Sequence, residues 1–227
     1  MPLATYKDLC IDANDAEKSA LFWADLLGLT PGKHHNGAWF LDDPDGRAVV
    51  WVNPVPEPKT AKNRLHIDVN AEGLEAALAG GATVVDDRHT WTVMCDPDGQ
   101  EFCLFVRDTP VERRLYELVL DAGQSPEECL AIARWWSQVL GAELGQDDEG
   151  YPWLEKVPGA PFEFICFEPV PEPKTVKNRV HFDVGTNDVE ALIAHGARVL
   201  RAKGDAGLGW TILADPDGNE FCAMPAD

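Results

Sequence analysis

The side chains best equipped for chemistry fall in two segments that nearly repeat each other. In Arg64-Leu-His-Ile-Asp-Val69 a cation, an imidazole and a carboxylate alternate with Leu65, Ile67 and Val69. Arg179, His181 and Asp183 alternate in the same way with Val180, Phe182 and Val184. Period-two alternation marks a strand with one buried face. The apolar rows belong against helices. The polar rows place an imidazole beside a carboxylate and a guanidinium, a general acid–base arrangement. His66 and His181 are therefore the candidate catalytic residues. A solvated sheet face would carry the same charges, but neighbouring segments add aromatic rings and thiols. Trp91 and Trp210 occupy matching places in Trp-Thr-Val-Met and Trp-Thr-Ile-Leu. Trp39 and Trp153 are read as a second matching pair, and Cys103 and Cys222 end two Glu-Phe-Cys segments. A sheet face mixing Trp, Arg, His and thiols suits a small-molecule pocket better than open solvent. The candidate ligand-binding set is Trp39, Arg64, His66, Trp91, Cys103, Trp153, Arg179, His181, Trp210 and Cys222. Its tryptophans would stack on a flat compound and its arginines would fix an anionic group.

These residues recur because the chain is an internal duplication. Val55 to Val69 matches Val170 to Val184 at twelve of fifteen positions, and Asp96 to Cys103 matches Asp215 to Cys222 at seven of eight. Leu9 to Ala13 aligns with Leu118 to Ala122, and Phe22 to Gly28 with Trp135 to Gly141. Two domains follow, 1–109 and 113–227, joined by a linker over 107–114. Each half divides again. Asn14 or Asp15 starts a helix that Gly28 ends; Ser125-Pro-Glu-Glu starts another that Gly141 ends. Shorter helices are expected over 71–79 and 188–195, and Asp-Pro-Asp-Gly turns separate strands at 43–46, 96–99 and 215–218. The reading is α+β, with βαβββ four times over.

Acidic residues outnumber basic ones, 39 to 19, for a net charge of -20. Such a surface repels phosphate backbones and anionic membranes, so no nucleic-acid or membrane partner is expected. No apolar run reaches membrane-spanning length, and the N-terminus lacks the basic and apolar regions of a signal peptide. The six cysteines show no CxxC pairing and are expected as free thiols in a cytoplasmic protein. There is no nucleophile elbow, phosphate-binding loop or dinucleotide fingerprint.

The helix ending Phe22-Trp-Ala-Asp-Leu-Leu-Gly-Leu, the His-containing strands and the Asp-Pro-Asp-Gly-Asn-Glu-Phe-Cys segment resemble the vicinal oxygen chelate superfamily, in its glyoxalase-like, bleomycin resistance-like branch. The resemblance covers nearly the whole chain, twice. It implies two tandem glyoxalase-like domains, each of two paired βαβββ modules forming a cup-shaped mixed sheet. Metal-dependent members carry His, Gln or Glu ligands on particular strands. Those positions fall here near Asp8 and Glu117, Trp51 and Cys166, Arg64 and Arg179, and Cys103 and Cys222. Arginine and tryptophan are not metal ligands, so no metal site and no cofactor are expected; a zinc set of Glu117, Cys166, His181 and Cys222 is the exception. The resemblance implies a small-molecule-binding protein, sequestering a flat or aromatic compound such as an antibiotic. The alternatives are a metal-independent lyase, isomerase or hydroxylase-like enzyme on a small carbonyl or phenolic substrate, a metal-dependent glyoxalase or dioxygenase, and a ligand-free scaffold. Because the duplication can replace a dimer, a monomer with an internal pseudo-dimer is expected.

Overall fold

The computed structural model describes residues 1–226 and contains four βαβββ modules in chain order. The first runs β1 (Thr5–Ala13), α1 (Ala16–Leu27), β2 (Thr30–Lys33), β3 (Trp39–Asp42) and β4 (Ala48–Pro54). The second runs β5 (Leu65–Ala71), α2 (Glu75–Ala79), β6 (Thr83–Asp86), β7 (Thr92–Cys95) and β8 (Glu101–Val106). In the second repeat the third module holds β9 (Leu115–Asp121), α3 (Pro126–Leu140), β10 (Glu143–Gln146), β11 (Pro152–Glu155) and β12 (Phe164–Glu168). The fourth holds β13 (Val180–Gly185), α4 (Val189–Ala194), β14 (Arg198–Arg201), β15 (Thr211–Ala214) and β16 (Glu220–Met224).

The helices start and stop where local chemistry dictates. Asp15 caps α1 by accepting from the Lys18 amide at 3.0 Å, and Ser125 caps α3 by accepting from Glu128 at 3.2 Å. Gly28 and Gly141 end these helices with φ of 70° and 68°, the left-handed region that favours glycine.

Two eight-stranded mixed sheets result, and each takes one module from each repeat. The first has the order β14-β15-β16-β13-β1-β4-β3-β2, so the first and fourth modules join through antiparallel β1 and β13. The other has the order β10-β11-β12-β9-β5-β8-β7-β6, so the second and third modules join through β5 and β9. The helices bind the sheets together. Trp23 of α1 packs edge-on against Phe102 of β8, with ring centroids 5.3 Å apart. Trp136 of α3 meets Phe182 and Phe221 of the other sheet at 4.7 and 5.0 Å. One continuous core runs through both repeats. No helix among the described residues is long and apolar enough to cross a membrane.

Candidate functional site

The alternation read in the strands is present in the fold. Leu65, Ile67, Val69, Val180, Phe182 and Val184 are buried in the core, and their polar neighbours occupy the opposite face of each sheet. That polar face, one per sheet, crosses the join between modules and is called a cup floor after the shape the resemblance implies.

In the first cup Asp8 of β1 lies directly opposite Asp183 of β13, and Cys10 opposite His181. Cys222 of β16 is the partner of Asp183 on its other side. Cys10 Sγ donates to Asp183 Oδ2 at 3.6 Å, Cys222 Sγ lies 3.6 Å from His181 Nε2, and His181 Nε2 is 3.4 Å from Asp183 Oδ1. In the other cup Asp68 of β5 lies opposite Glu117 of β9, and Cys103 of β8 flanks Asp68. Cys166 Sγ donates to Glu117 Oε2 at 3.4 Å, and His66 Nε2 is 3.4 Å from Asp68 Oδ1. Each floor thus carries one imidazole, two opposed carboxyls and two thiols. Cys222 and Cys103 are equivalent. The second thiol is Cys10 on β1 in one cup and Cys166 on β12 in the other.

Bulges aim the opposed acids. The β1–β13 ladder shifts between Tyr6 and Asp8, and the β5–β9 ladder shifts between Asp68 and Val69, where Glu117 and Leu115 are the partners. One extra residue, Lys7 or Tyr116, turns the next side chain onto the cup floor.

Burial dominates the electrostatics. It pulls His66 down to about 3 and His181 to about 4, so both imidazoles are neutral at pH 7. It raises Asp8 to about 6, and burial together with the Asp8 charge raises Asp183 to about 7. Asp68 and Glu117 are raised by burial, Asp68 additionally by the charge of Glu117. Burial likewise drives Cys10, Cys103, Cys166 and Cys222 upward, so these are neutral thiols. Several buried polar atoms make no hydrogen bond: Asp8 Oδ1 and His181 Nδ1 in the first cup and His66 Nδ1 in the second, while Asp183 Oδ1 and Asp68 Oδ1 have only their imidazole, 3.4 Å away. Burying such groups unpaired is costly, and a core would not require it twice at equivalent places.

These donor sets fit a divalent cation. Ligand atoms of Cys10, His181 and Asp183 lie within 4.8 Å of one another, as do those of His66, Asp68 and Cys103. An imidazole, a carboxylate and a cysteine that a bound ion would deprotonate match zinc-like ions. The sequence-based zinc set of Glu117, Cys166, His181 and Cys222 is not assembled. Glu117 and Cys166 belong to one sheet and His181 and Cys222 to the other, because modules pair across the repeats.

The fold brings most of the sequence-derived ligand set together, with two exceptions. His66, Cys103 and Trp153 lie in strands of one sheet, with Trp91 just before β7, and His181 and Cys222 lie in strands of the other, with Trp210 just before β15. Trp91 stacks on Phe105 at 5.7 Å and Phe105 meets Tyr116 edge-on at 5.6 Å, which makes an aromatic wall, and Trp153 lies opposite Cys166. Trp39 instead pairs with the core residue Val52, and Phe40 pairs with Trp51 on the cup face. Trp39 and Trp153 are therefore not equivalent; Phe40 and Trp153 are. A Cβ on Gly32 would sit 2.2 Å from the Phe40 ring, and one on Gly145 2.3 Å from Trp153. A one-residue offset in a strand exchanges its faces. Arg64 and Arg179 are the second exception: they leave the cups and line a cavity between the 55–64 and 170–179 loops. Cys10, Asp8, Trp51 and Phe40 were missing from the sequence-derived set. The alternation of Asp8, Cys10 and Asp12 with Leu9 and Ile11 carried the signal for the first two.

A family model described as glyoxalase-like domain matches residues 8–105 and again 117–224. No curated protein matches the chain in sequence. Among solved structures, glyoxalase I from Zea mays is similar with a TM-score of 0.71 at 15% identity, covering 98% of this chain and 92% of that one. A putative dioxygenase from Bacillus subtilis subsp. subtilis str. 168 gives 0.64 at 12% identity, covering 99% and 86%. The cppA protein from Streptococcus pneumoniae TIGR4 gives 0.52 at 12% identity, covering 97% and 99%. At these identities the likeness is one of fold.

Proposed function

The chain belongs to the glyoxalase-like domain family of the vicinal oxygen chelate superfamily, and on that premise we propose that each cup binds a small flat or aromatic molecule. Its body lies on the aromatic wall, and its polar group engages the carboxyl–thiol–imidazole floor. The observation that carries this reading is the pair of opposed acids, Asp8 with Asp183 and Asp68 with Glu117. Asp8, Asp68 and Asp183 are buried and Glu117 is half-buried beside thiols, and Asp8 Oδ1, His66 Nδ1 and His181 Nδ1 make no hydrogen bond and are left for an occupant. Holding an aromatic compound such as an antibiotic out of solution requires no more than this. The free cysteines support a reducing, cytoplasmic setting, and the internal pairing of modules supports a monomer.

A second reading is catalytic. Two carboxyls that face each other share a proton more readily than both ionise, which lets one act as acid and the other as base on a bound carbonyl or phenol. His66 and His181, being neutral, would position the substrate's polar group by hydrogen bonds. A divalent cation held by Cys10, His181 and Asp183, or by His66, Asp68 and Cys103, would supply Lewis acidity at the same place.

Tryptophan fluorescence tests the reading, since Trp51, Trp91, Trp153 and Trp210 lie on these faces. Titration with aromatic antibiotics and small phenolic and carbonyl compounds should give saturable quenching, weakened in Asp68→Asn and Asp183→Asn. Quenching that no compound produces, or that ignores both substitutions, sinks it. Addition of Co2+ separates the metal question: a thiolate charge-transfer band lost in Cys103→Ser and Cys10→Ser shows metal at the floors.

A further inference from the structure

A cavity of about 820 Å3 lies between the 55–64 and 170–179 loops, outside both cups. The two loops, Val55-Pro-Glu-Pro-Lys-Thr-Ala-Lys-Asn-Arg64 and Val170-Pro-Glu-Pro-Lys-Thr-Val-Lys-Asn-Arg179, differ only at Ala61 and Val176. They reach across to each other. Arg64 Nη2 donates to the Glu172 carbonyl, and Arg179 Nη1 donates to the Glu57 carbonyl at 2.7 Å.

Charge distinguishes this cavity from the rest of the molecule. In a chain of net charge -20, its lining holds Lys62, Arg64, Lys174, Lys177 and Arg179 against only Asp12, Glu57, Asp121 and Glu172. Four of the cations have carboxylate partners: Lys62 with Asp121, Lys177 with Asp12, Lys174 with Glu220 and Arg179 with Asp98. Arg64 has no ion-pair partner among the described residues. Arg179, with only 11% of its side chain exposed, leaves Nε buried without a partner. The remaining walls mix aliphatic side chains, Val55, Pro58, Val170 and Pro173 among them, with Thr60, Asn63, Thr175 and Asn178, and no aromatic residue lines the space.

We propose that this inter-loop cavity is a second binding site, distinct from both cups, for a small aliphatic carboxylate. The guanidinium of Arg64 takes the carboxylate, Arg179 ties the two loops together through the Glu57 carbonyl, and the Val and Pro walls take the hydrocarbon body. Guanidinium–carboxylate recognition is charge-assisted and directional. The volume falls in the range of small-molecule sites. Each cation's own carboxylate partner limits non-specific anion capture, which leaves Arg64 as the discriminating group.

Cyclohexanecarboxylate is the probe, with cyclohexanemethanol as its neutral analogue, followed by ligand-observed NMR titration of the full chain. Saturable binding of the acid is expected, without quenching of tryptophan fluorescence, and about tenfold weaker in Arg64→Gln, the loss of one charge-assisted contact. Ala61→Trp fills the cavity while keeping every cation, and it should abolish binding even if Arg64→Gln disturbs the loops. Cys103→Ser and Cys222→Ser at the cup floors should leave the affinity within about twofold. The proposal is overturned by any of four results: no saturable binding, equal binding of the alcohol, wild-type affinity in Ala61→Trp, or loss of affinity in the cup variants. The last would place the probe in the cups without bearing on their affinity for aromatic compounds.

Discussion

Trp23 donates its indole N–H to Asp96 Oδ2 at 2.9 Å, and the duplicate pair, Trp136 and Asp215, repeats the bond at 3.1 Å. Each bond joins the first helix of a repeat to a turn of the other sheet. It explains the Asp-Pro-Asp-Gly motif at these two places. Oδ1 of the first aspartate closes the turn by accepting from the amides of Asp98 and Gln100, both at 2.8 Å, while Oδ2 is reserved for the helix. Trp23→Phe should therefore cost about 1–3 kcal/mol, the penalty of leaving a buried acceptor unpaired. Denaturant unfolding measures it, and a cycle with Asp96→Asn separates the hydrogen bond from the small void. A loss confined to the void, with no coupling in the cycle, would make the bond energetically silent.

The same arrangement predicts a pH dependence. Burial raises Asp215 to about 6 despite the Trp136 bond. A carboxyl with a raised folded value is favoured in its protonated form, so its ionisation destabilises the fold. Wild-type stability, taken relative to Asp215→Asn, should fall as pH rises from about 4 to about 6 and level off above. The total change should be up to about 3 kcal/mol. A pH-independent difference between the two proteins would show that Asp215 stays ionised in the fold.

Leu65 and His66 separate the two faces of β5. Leu65 is 1% exposed within the core, and Leu65→Ala should cost about 2–5 kcal/mol. His66 has a 14% exposed side chain and an Nδ1 without a partner. Truncating it removes an unpaired polar atom along with some packing, and the two effects offset each other, so His66→Ala should cost under about 1 kcal/mol. Thermal unfolding of both variants decides. Equal losses would make the imidazole a core element and weaken the case for the cup.

Residues 1–112 expressed alone contain two half-sheets whose inner edges, β1 and β5, have lost their partners β13 and β9. Such edges seek pairing. Because the repeats are equivalent, a second copy can supply β5 to β1 and β1 to β5. The fragment should run at twice its own mass in light scattering. A folded fragment monomer would mean that the cups do not depend on cross-repeat pairing.

Elements and repeats were legible because they are local. Capping by Asp15 and Ser125, helix stops at Gly28 and Gly141, and alternation in β5 and β13 depend on residues close in sequence. Trp39 shows the limit of that reading. Aligning it with Trp153 was natural by residue type, yet register against β4 puts Phe40 on the cup face. Side-chain identity does not determine register; pairing does.

The chain alone thus determined four βαβββ modules, their duplication and the polar face of each central strand, since each follows from short-range periodicity. Only the tertiary structure decided that β1 pairs with β13 and β5 with β9. Near-identical modules present near-identical edges, so nothing local distinguishes pairing within a repeat from pairing across it. Helices α1 and α3 hold the two modules of each repeat together through Trp23 and Trp136, while the inner edges pair with the other repeat. That pairing places Asp8 opposite Asp183, Asp68 opposite Glu117, and Arg64 outside both cups.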